Sequence, residues 1–174
     1  RGCLKPRGFD LDNSPRAALE AARAGARGMA ISTTNGTRAV LRAVRRSREV
    51  LLGCMRNAPS CAALLAQMGE EVVFHCAGRD GRVGLDDAAV VGAILAEMEG
   101  LGARLELDDP SRMCLALWRH LGEDPKRALL EAEHARRLLE LGLEGDLEFC
   151  AALGASRVVP RVRGAEGSLA FICP

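Results

Sequence analysis

Seven consecutive residues, Ser32-Thr33-Thr34-Asn35-Gly36-Thr37-Arg38, have the composition of an oxyanion site. They follow an apolar run, Gly28-Met29-Ala30-Ile31, that reads as a buried strand. They lead into 37–44, where Val40, Leu41 and Val44 fit one helical face. A strand, a hydroxyl-rich turn and a helix start aim free backbone N–H groups and the positive end of the helix dipole at one point. Ser32, Thr33, Thr34, Asn35 and Thr37 add side-chain donors, Gly36 permits close backbone approach, and Arg38 brings a charged fork. The same residue types also describe an ordinary N-cap on a βα turn. The spacing differs from G-x-x-x-x-G-K-[ST], so no nucleotide is implied.

A second chemistry is written at His75-Cys76-x5-Arg82, which matches the H-C-x5-R loop of cysteine-dependent phosphatases. There a thiolate attacks phosphorus and the arginine holds the equatorial oxygens. With 7 cysteines and 22 arginines in 174 residues, about one Cys-x5-Arg match is expected by chance. Such a loop should also run directly into a helix after its arginine, whereas Val83-Gly84 intervene before the apparent cap at Asp86. Cys76 therefore reads first as a buried strand-end thiol.

The elements that position these residues alternate. Ser14-Pro15 is a cap with proline at the first helical position, and a helix runs to about Ala24. Strand 28–31, the donor-rich loop and a helix over 37–46 come next. Glu49–Gly53 is a second strand, and Asn57–Ser60 opens a helix to about Met68. Glu71–Cys76 is a third strand, running into the glycine-rich turn 77–84. Asp86-Asp87 start a long helix ending near Gly100. Short apolar strands alternating with helices predict an α/β fold: three layers, a mostly parallel or mixed sheet with helices on both faces. Ligands of such sheets collect at the carboxyl ends of the strands, where 32–38, 53–57 and 76–87 all lie.

Further on, Asp109-Pro110 and Asp124-Pro125 mark two more helix starts. A helix over 125–141 places Ala128, Ala132, Ala135 and Leu139 on one stripe, with Glu133 and Arg137 paired on the wet side. A short helix follows over 145–150. Ser156–Pro160 and Ser168–Ile172 read as closing strands.

Bulk properties bound the function. A chain of 174 residues with 48% hydrophobic content can build one real core. Its net charge of +1 gives no global pull toward nucleic acid or a membrane surface. Aromatics at 3% without tyrosine argue against base stacking. No apolar run reaches the length of a membrane span, so a cytoplasmic location is expected. Seven cysteines without a C-x-x-C pair predict a reducing compartment. Cys54, Cys61, Cys76, Cys114 and Cys150, set among apolar neighbours, read as small buried hydrophobes.

Five blocks together resemble the 2-phosphosulfolactate phosphatase family. They are Gly8-Phe9-Asp10-Leu11-x-Asn13-Ser14-Pro15; Ser32–Ala39; Cys76-Ala77-Gly78-x-x-Gly81; Leu85-x-Asp87-x-x-x-x-Gly92; and Gly142-x-x-x-Asp146-Leu147-x-x-Cys150 followed by Val159-Pro160. They stand in family order and span essentially the whole chain. The resemblance implies one α/β domain over 1–174 and a magnesium-dependent phosphatase removing phosphate from a sulfonated lactate, a step toward coenzyme M in some organisms. Departures include Asp12 and Cys3 at usual glycines, Asp86 at a usual glutamate, and Gly84 where serine or another small residue is usual. The family's opening strand and D-x-x-R-A-T-type segment have no counterpart here. The expectation is an N-terminally incomplete domain with an unpaired sheet edge, prone to self-association.

What the resemblance implies for the residues is specific. Arg38 and the 32–37 loop hold one anionic group of a small phosphorylated substrate, while Asn57 orients another. The glycines of the 77–84 turn, Gly78 and Gly81, contribute backbone contacts. One or two of Asp10, Asp86 and Asp87 hold Mg²⁺ with several waters, and Asp10, Asp87 and Arg38 form the catalytic set. The plainer readings are that Asp86 and Asp87 complement a helix dipole and that Asp10 shapes a turn. A non-catalytic anion-binding domain is the alternative from another class.

Overall fold

Three helices start on side-chain caps, at Ser14, Asp108 and Asp124. The computed structural model describes residues 5, 7–167 and 169–173; Cys3 and Ser168, named above, lie outside them. Helix α1 (Pro15–Arg23) begins on Ser14, whose Oγ accepts from the Ala17 N–H at 3.2 Å, and Pro15 presets the first turn. Helix α2 (Gly36–Val44) follows, then a 3-10 turn (Met55–Asn57) running into α3 (Ala58–Met68). Next come α4 (Leu85–Gly100) and α5 (Asp109–His120). The cap of α5 is Asp108 rather than Asp109, with the Ser111 N–H donating to Asp108 Oδ1 at 2.9 Å. In α6 (Pro125–Glu131), Asp124 Oδ1 accepts from both Lys126 N–H and Arg127 N–H.

The helix expected over 125–141 is two helices. Ala132 takes an extended conformation, φ −69° and ψ 139°, and α7 (Glu133–Glu140) starts after it. The chain changes direction there, and Ala128, Ala132 and Ala135 all remain buried while Leu139 is exposed. Glu133 faces Arg79 at 3.9 Å, and Arg137 instead pairs with Glu140 at 3.0 Å. Helix α8 (Glu144–Ala151) follows, and the chain ends in an antiparallel hairpin of β1 (Arg161–Glu166) and β2 (Leu169–Cys173).

The core lies between helices. Met55, Ala58, Cys61, Ala62 and Leu65 pack against Ala89, Ala93, Ile94 and Met98 of α4, with Trp118, Leu121 and Ala128 closing the far side. Each large side chain buried this way stabilises by about 1.5–3 kcal/mol. Helices α4 and α5 meet closely because position 92 is glycine. A β-carbon there would overlap the Cys114 carbonyl oxygen and stand 2.6 Å from Trp118 Cβ.

The expected three-layer sheet is not what the described residues form, although about half of the chain is helical and the fold is α/β-like. Their sheet is the hairpin, prolonged on one side by 50–52. Leu51 bridges Arg161 antiparallel, Leu52 N–H donates to Pro160 O at 2.8 Å, and Val162 N–H donates to Val50 O at 2.9 Å. Residues 156–160, read as a closing strand, have no regular secondary structure, and only Pro160 enters this ladder.

Segments 71–77 and 103–107 behave as strands in burial alone. Val72, Phe74, Ala103 and Leu105 pack on the helical core, while Val73 and Arg104 face outward. No backbone hydrogen bond pairs these segments among the described residues, and 28–33 is likewise unpaired and mostly exposed. A short apolar run in sequence marks a segment that packs on a core; it does not encode which backbone lies alongside, or whether both faces are covered. The outward face keeps large apolar groups in solvent, Val73 at 76% and Ile31 at 65% exposure.

The cysteines divide. Cys61 is buried, Cys114 and Cys150 are half-buried, and Cys54 and Cys76, expected inside, are exposed, Cys54 just after the paired 50–52 stretch and Cys76 at the end of the unpaired 71–77 segment.

Candidate functional site

The loop before α2 is held by two threonines. Thr33 N–H donates to Thr37 Oγ1 at 3.2 Å, and Thr37 N–H donates to Thr33 Oγ1 at 2.9 Å, so each hydroxyl caps the other residue's backbone. Gly36 makes this possible, since a β-carbon there would stand 2.9 Å from Thr33 Oγ1. Asn35 precedes α2 but its side chain makes no cap bond. Among the described residues, the N–H groups of Gly36 and Arg38 have no protein acceptor. The side chains of Ser32, Thr34 and Arg38 are exposed beside them. Two of the expected donors are thus structural, and the rest remain available to an oxyanion.

The start of α4 gathers a second group. Gly84 is its N-cap and offers no side chain, and a β-carbon there would stand 2.7 Å from Asp86 Oδ1 and 3.2 Å from Asp87 Oδ2. The glycine therefore lets both carboxylates fold back over the helix start, where they complement the dipole. Asp87 Oδ2 also accepts from Gly78 N–H at 2.6 Å and so ties the 77–84 turn to α4. Burial raises the pKa of Asp87, the Gly78 bond opposes that, and the Asp86 charge raises it further.

The turn itself is a tight hairpin. Arg79 N–H and Arg82 O bond at 3.0 Å and Arg82 N–H and Arg79 O at 2.8 Å, with Asp80 and Gly81 both at positive φ. Gly78 is also left-handed, at φ 63°, and its missing β-carbon leaves room for the Arg82 carbonyl at 2.5 Å.

This geometry opposes the thiolate chemistry of His75-Cys76-x5-Arg82. Burial, then the charges of Asp87, Cys114 and Asp86, push the Cys76 thiol up to about 11. Every charged or ionisable neighbour acts in the same direction as burial: Asp87, Cys114 and Asp86 all disfavour the thiolate, where a nucleophilic cysteine needs cations. The backbone between Cys76 and Arg82 closes on itself and on Asp87 rather than forming an open cradle for phosphate.

Asn57 is taken up by the fold. It is 3% exposed; its Oδ1 accepts from Cys54 N–H at 2.8 Å, and its Nδ2 donates to Leu52 O and Val158 O, both at 3.0 Å. Both amide hydrogens are engaged, so Asn57 joins three segments and has no N–H left for a substrate. Asp10 is exposed in the bend before α1, and no cluster of three metal-ligating side chains exists among the described residues. The structure brings Asp86 and Asp87 together and leaves Asp10 out of their group.

One pairing went unread in the sequence. Ser14 Oγ donates to Asp146 Oδ1 at 2.8 Å across 132 residues, linking the start of α1 to α8. Both residues sit in motif blocks already singled out, but nothing in their spacing announces the contact.

Comparisons with known proteins agree with these blocks. The family model described as 2-phosphosulpholactate phosphatase matches residues 1–165. A Thermus thermophilus protein named "Probable 2-phosphosulfolactate phosphatase" is 45% identical over 167 residues, covering 95% of this chain and 69% of the relative. A Deinococcus radiodurans protein of the same name is 42% identical over 161 residues, covering 92% of this chain and 66% of the relative. One from Caldanaerobacter subterraneus is 34% identical over 165 residues, covering 94% and 66%. The chain thus spans about two thirds of the length of these curated relatives. On the strength of a match over nearly its whole length, this chain belongs to the 2-phosphosulpholactate phosphatase family, whose named members are phosphoric monoester hydrolases.

Proposed function

We propose that this chain carries the anion-binding and carboxylate parts of a phosphatase that hydrolyses the phosphomonoester of 2-phosphosulfolactate, or a related phosphorylated hydroxy acid, with Mg²⁺ as cofactor. The observation behind this reading is the convergence of Asp86 and Asp87 over Gly84, beside a turn fixed by Gly78. Two carboxylates fit Mg²⁺, which takes one or two such ligands and keeps its remaining waters. When bound, the ion supplies charge neutralisation for the phosphoryl oxygens and a place for the attacking water.

The chain's own residues do the rest. Arg38 forks onto one oxyanion of the substrate, and the N–H groups of Gly36 and Arg38 with the Ser32 and Thr34 hydroxyls surround it. Thr33 and Thr37 keep that loop in shape, and Asn57 holds the neighbouring segment. Asp10 stands apart from the carboxylate pair, and its catalytic role is tested separately by Asp10→Ala. The cytoplasm is the proposed location; among the described residues no helix is long and apolar enough to cross a membrane.

Phosphate release from 2-phosphosulfolactate is the direct test. EDTA should stop turnover, added Mg²⁺ should restore it, and Cys76→Ser should keep most of it. Metal-independent turnover lost in a folded Cys76→Ser protein would establish the cysteine mechanism instead. Saturable phosphate binding without any turnover would favour the non-catalytic reading.

A further inference from the structure

A cleft of about 230 Å³ opens between α1 and α8, lined by Ser14, Arg16, Glu20, Gly142, Gly145 and Asp146 among others. Asp146 is only 7% exposed, and its Oδ1 is held by the Ser14 hydroxyl at 2.8 Å. Among the described residues nothing donates to its other oxygen. Arg16 makes no ion pair within 4.0 Å among the described residues, although Glu20 lies one helical turn on from it.

The placement of Arg16 has a specific requirement. A β-carbon at Gly145 would overlap Arg16 Nη1 and stand 3.0 Å from its Cζ, so the guanidinium reaches the first turn of α8 only because that residue is glycine. Glycine inside a helix costs about 1 kcal/mol relative to alanine. Here it admits a cation that has no carboxylate partner.

We propose that this cleft binds a small zwitterion, a molecule carrying an ammonium group and an oxyanion on a short carbon chain. The charges of the wall dictate that class. One cation, Arg16, shares the lining with two carboxylates, Glu20 and Asp146, so a bare anion meets net repulsion and a bare cation leaves the guanidinium unmatched. A zwitterion satisfies both: its oxyanion lies in the Arg16 fork, and its ammonium donates to Asp146 Oδ2 and Glu20. The volume suits an amino acid of a few carbons or an aminosulfonate. This inference does not rest on the phosphatase reading.

The oxyanion can be a carboxylate or a sulfonate, and calorimetric titration of the chain with L-alanine and with taurine distinguishes the two. Acetate and ethylammonium serve as the separate halves. At least one zwitterion should bind saturably, with each half about tenfold weaker or worse. Arg16→Gln should weaken the zwitterion about tenfold. Gly145→Ala should do the same while leaving the melting temperature level or raised, because alanine favours the helix and evicts only the exposed arginine. A purely structural glycine would show no such separation. Absence of saturable heat up to 50 mM of either zwitterion, equal binding of acetate, or unchanged binding in both variants would overturn the proposal.

Discussion

Thr33 and Thr37 cap one another: each hydroxyl oxygen accepts the other residue's backbone N–H, at 3.2 and 2.9 Å, with the two oxygens 3.4 Å apart. They stand four positions apart across the start of α2, and Gly36 gives the Thr33 hydroxyl the room it needs. The loop therefore has structural members and outward-facing members, and they should respond differently to substitution. Thr33→Ala and Thr37→Ala should each lower stability by about 1 kcal/mol, the usual cost of a lost cap. Thr34→Ala and Arg38→Ala should leave the melt nearly unchanged and reduce anion binding or turnover at least tenfold. If Arg38→Ala unfolds the chain while activity per folded molecule persists, the loop is only a cap.

Cys76 should behave as an ordinary, poorly ionised thiol. With its pKa pushed up to about 11, about one molecule in ten thousand is thiolate at pH 7. Its alkylation by iodoacetamide, followed by peptide mass spectrometry, should climb about tenfold per pH unit from neutrality toward 11. A rate that levels off below pH 8 would mean a cationic environment and would revive the thiolate mechanism.

Asp108 should make α5 acid-sensitive. The Ser111 side chain, and then its backbone N–H, hold the Asp108 pKa below the ordinary carboxylate value. The folded state favours the ionised form, so its stabilising effect is complete above about pH 4 and fades as pH falls through the depressed pKa. Asp108→Asn keeps a capping oxygen but has nothing to titrate. The native chain should melt higher than this variant at pH 7, and the difference should close in strong acid. A gap that stays constant from pH 7 to pH 2 would remove the charge from the explanation.

Gly92→Ala should destabilise although alanine is the better helix former. The added carbon has no space between α4 and the Cys114 carbonyl with Trp118 behind it. Forcing the helices apart should cost about 1–3 kcal/mol or more, outweighing a propensity gain of about 1 kcal/mol. Denaturant titration reads the difference directly, and an equal or raised midpoint would show that α5 can give way.

Helix starts, the donor-rich loop and the acidic start of α4 were legible in sequence because caps, prolines and adjacent carboxylates act within a few residues. Ser14-Pro15, Asp124-Pro125 and Asp86-Asp87 needed no distant partner to be read. The apolar run at 71–76 was equally local, but it was read as a strand covered on both faces, whereas only Val72 and Phe74 pack on the helical core and Val73 is exposed. Which backbone would lie beside that segment was not in the run, and a sheet was expected where the described residues show none beyond the hairpin and 50–52. Residues with long-range partners were read least well. Asn57 has the composition of a ligand donor until Leu52 and Val158 claim both its amide hydrogens. Asp146 is one acidic residue among 23 until Ser14 reaches it. A hydrogen bond or a burial between residues far apart in the chain has no period and no spacing, and only the packing of α1 on α8, or of α3 against the closing segment, decides it.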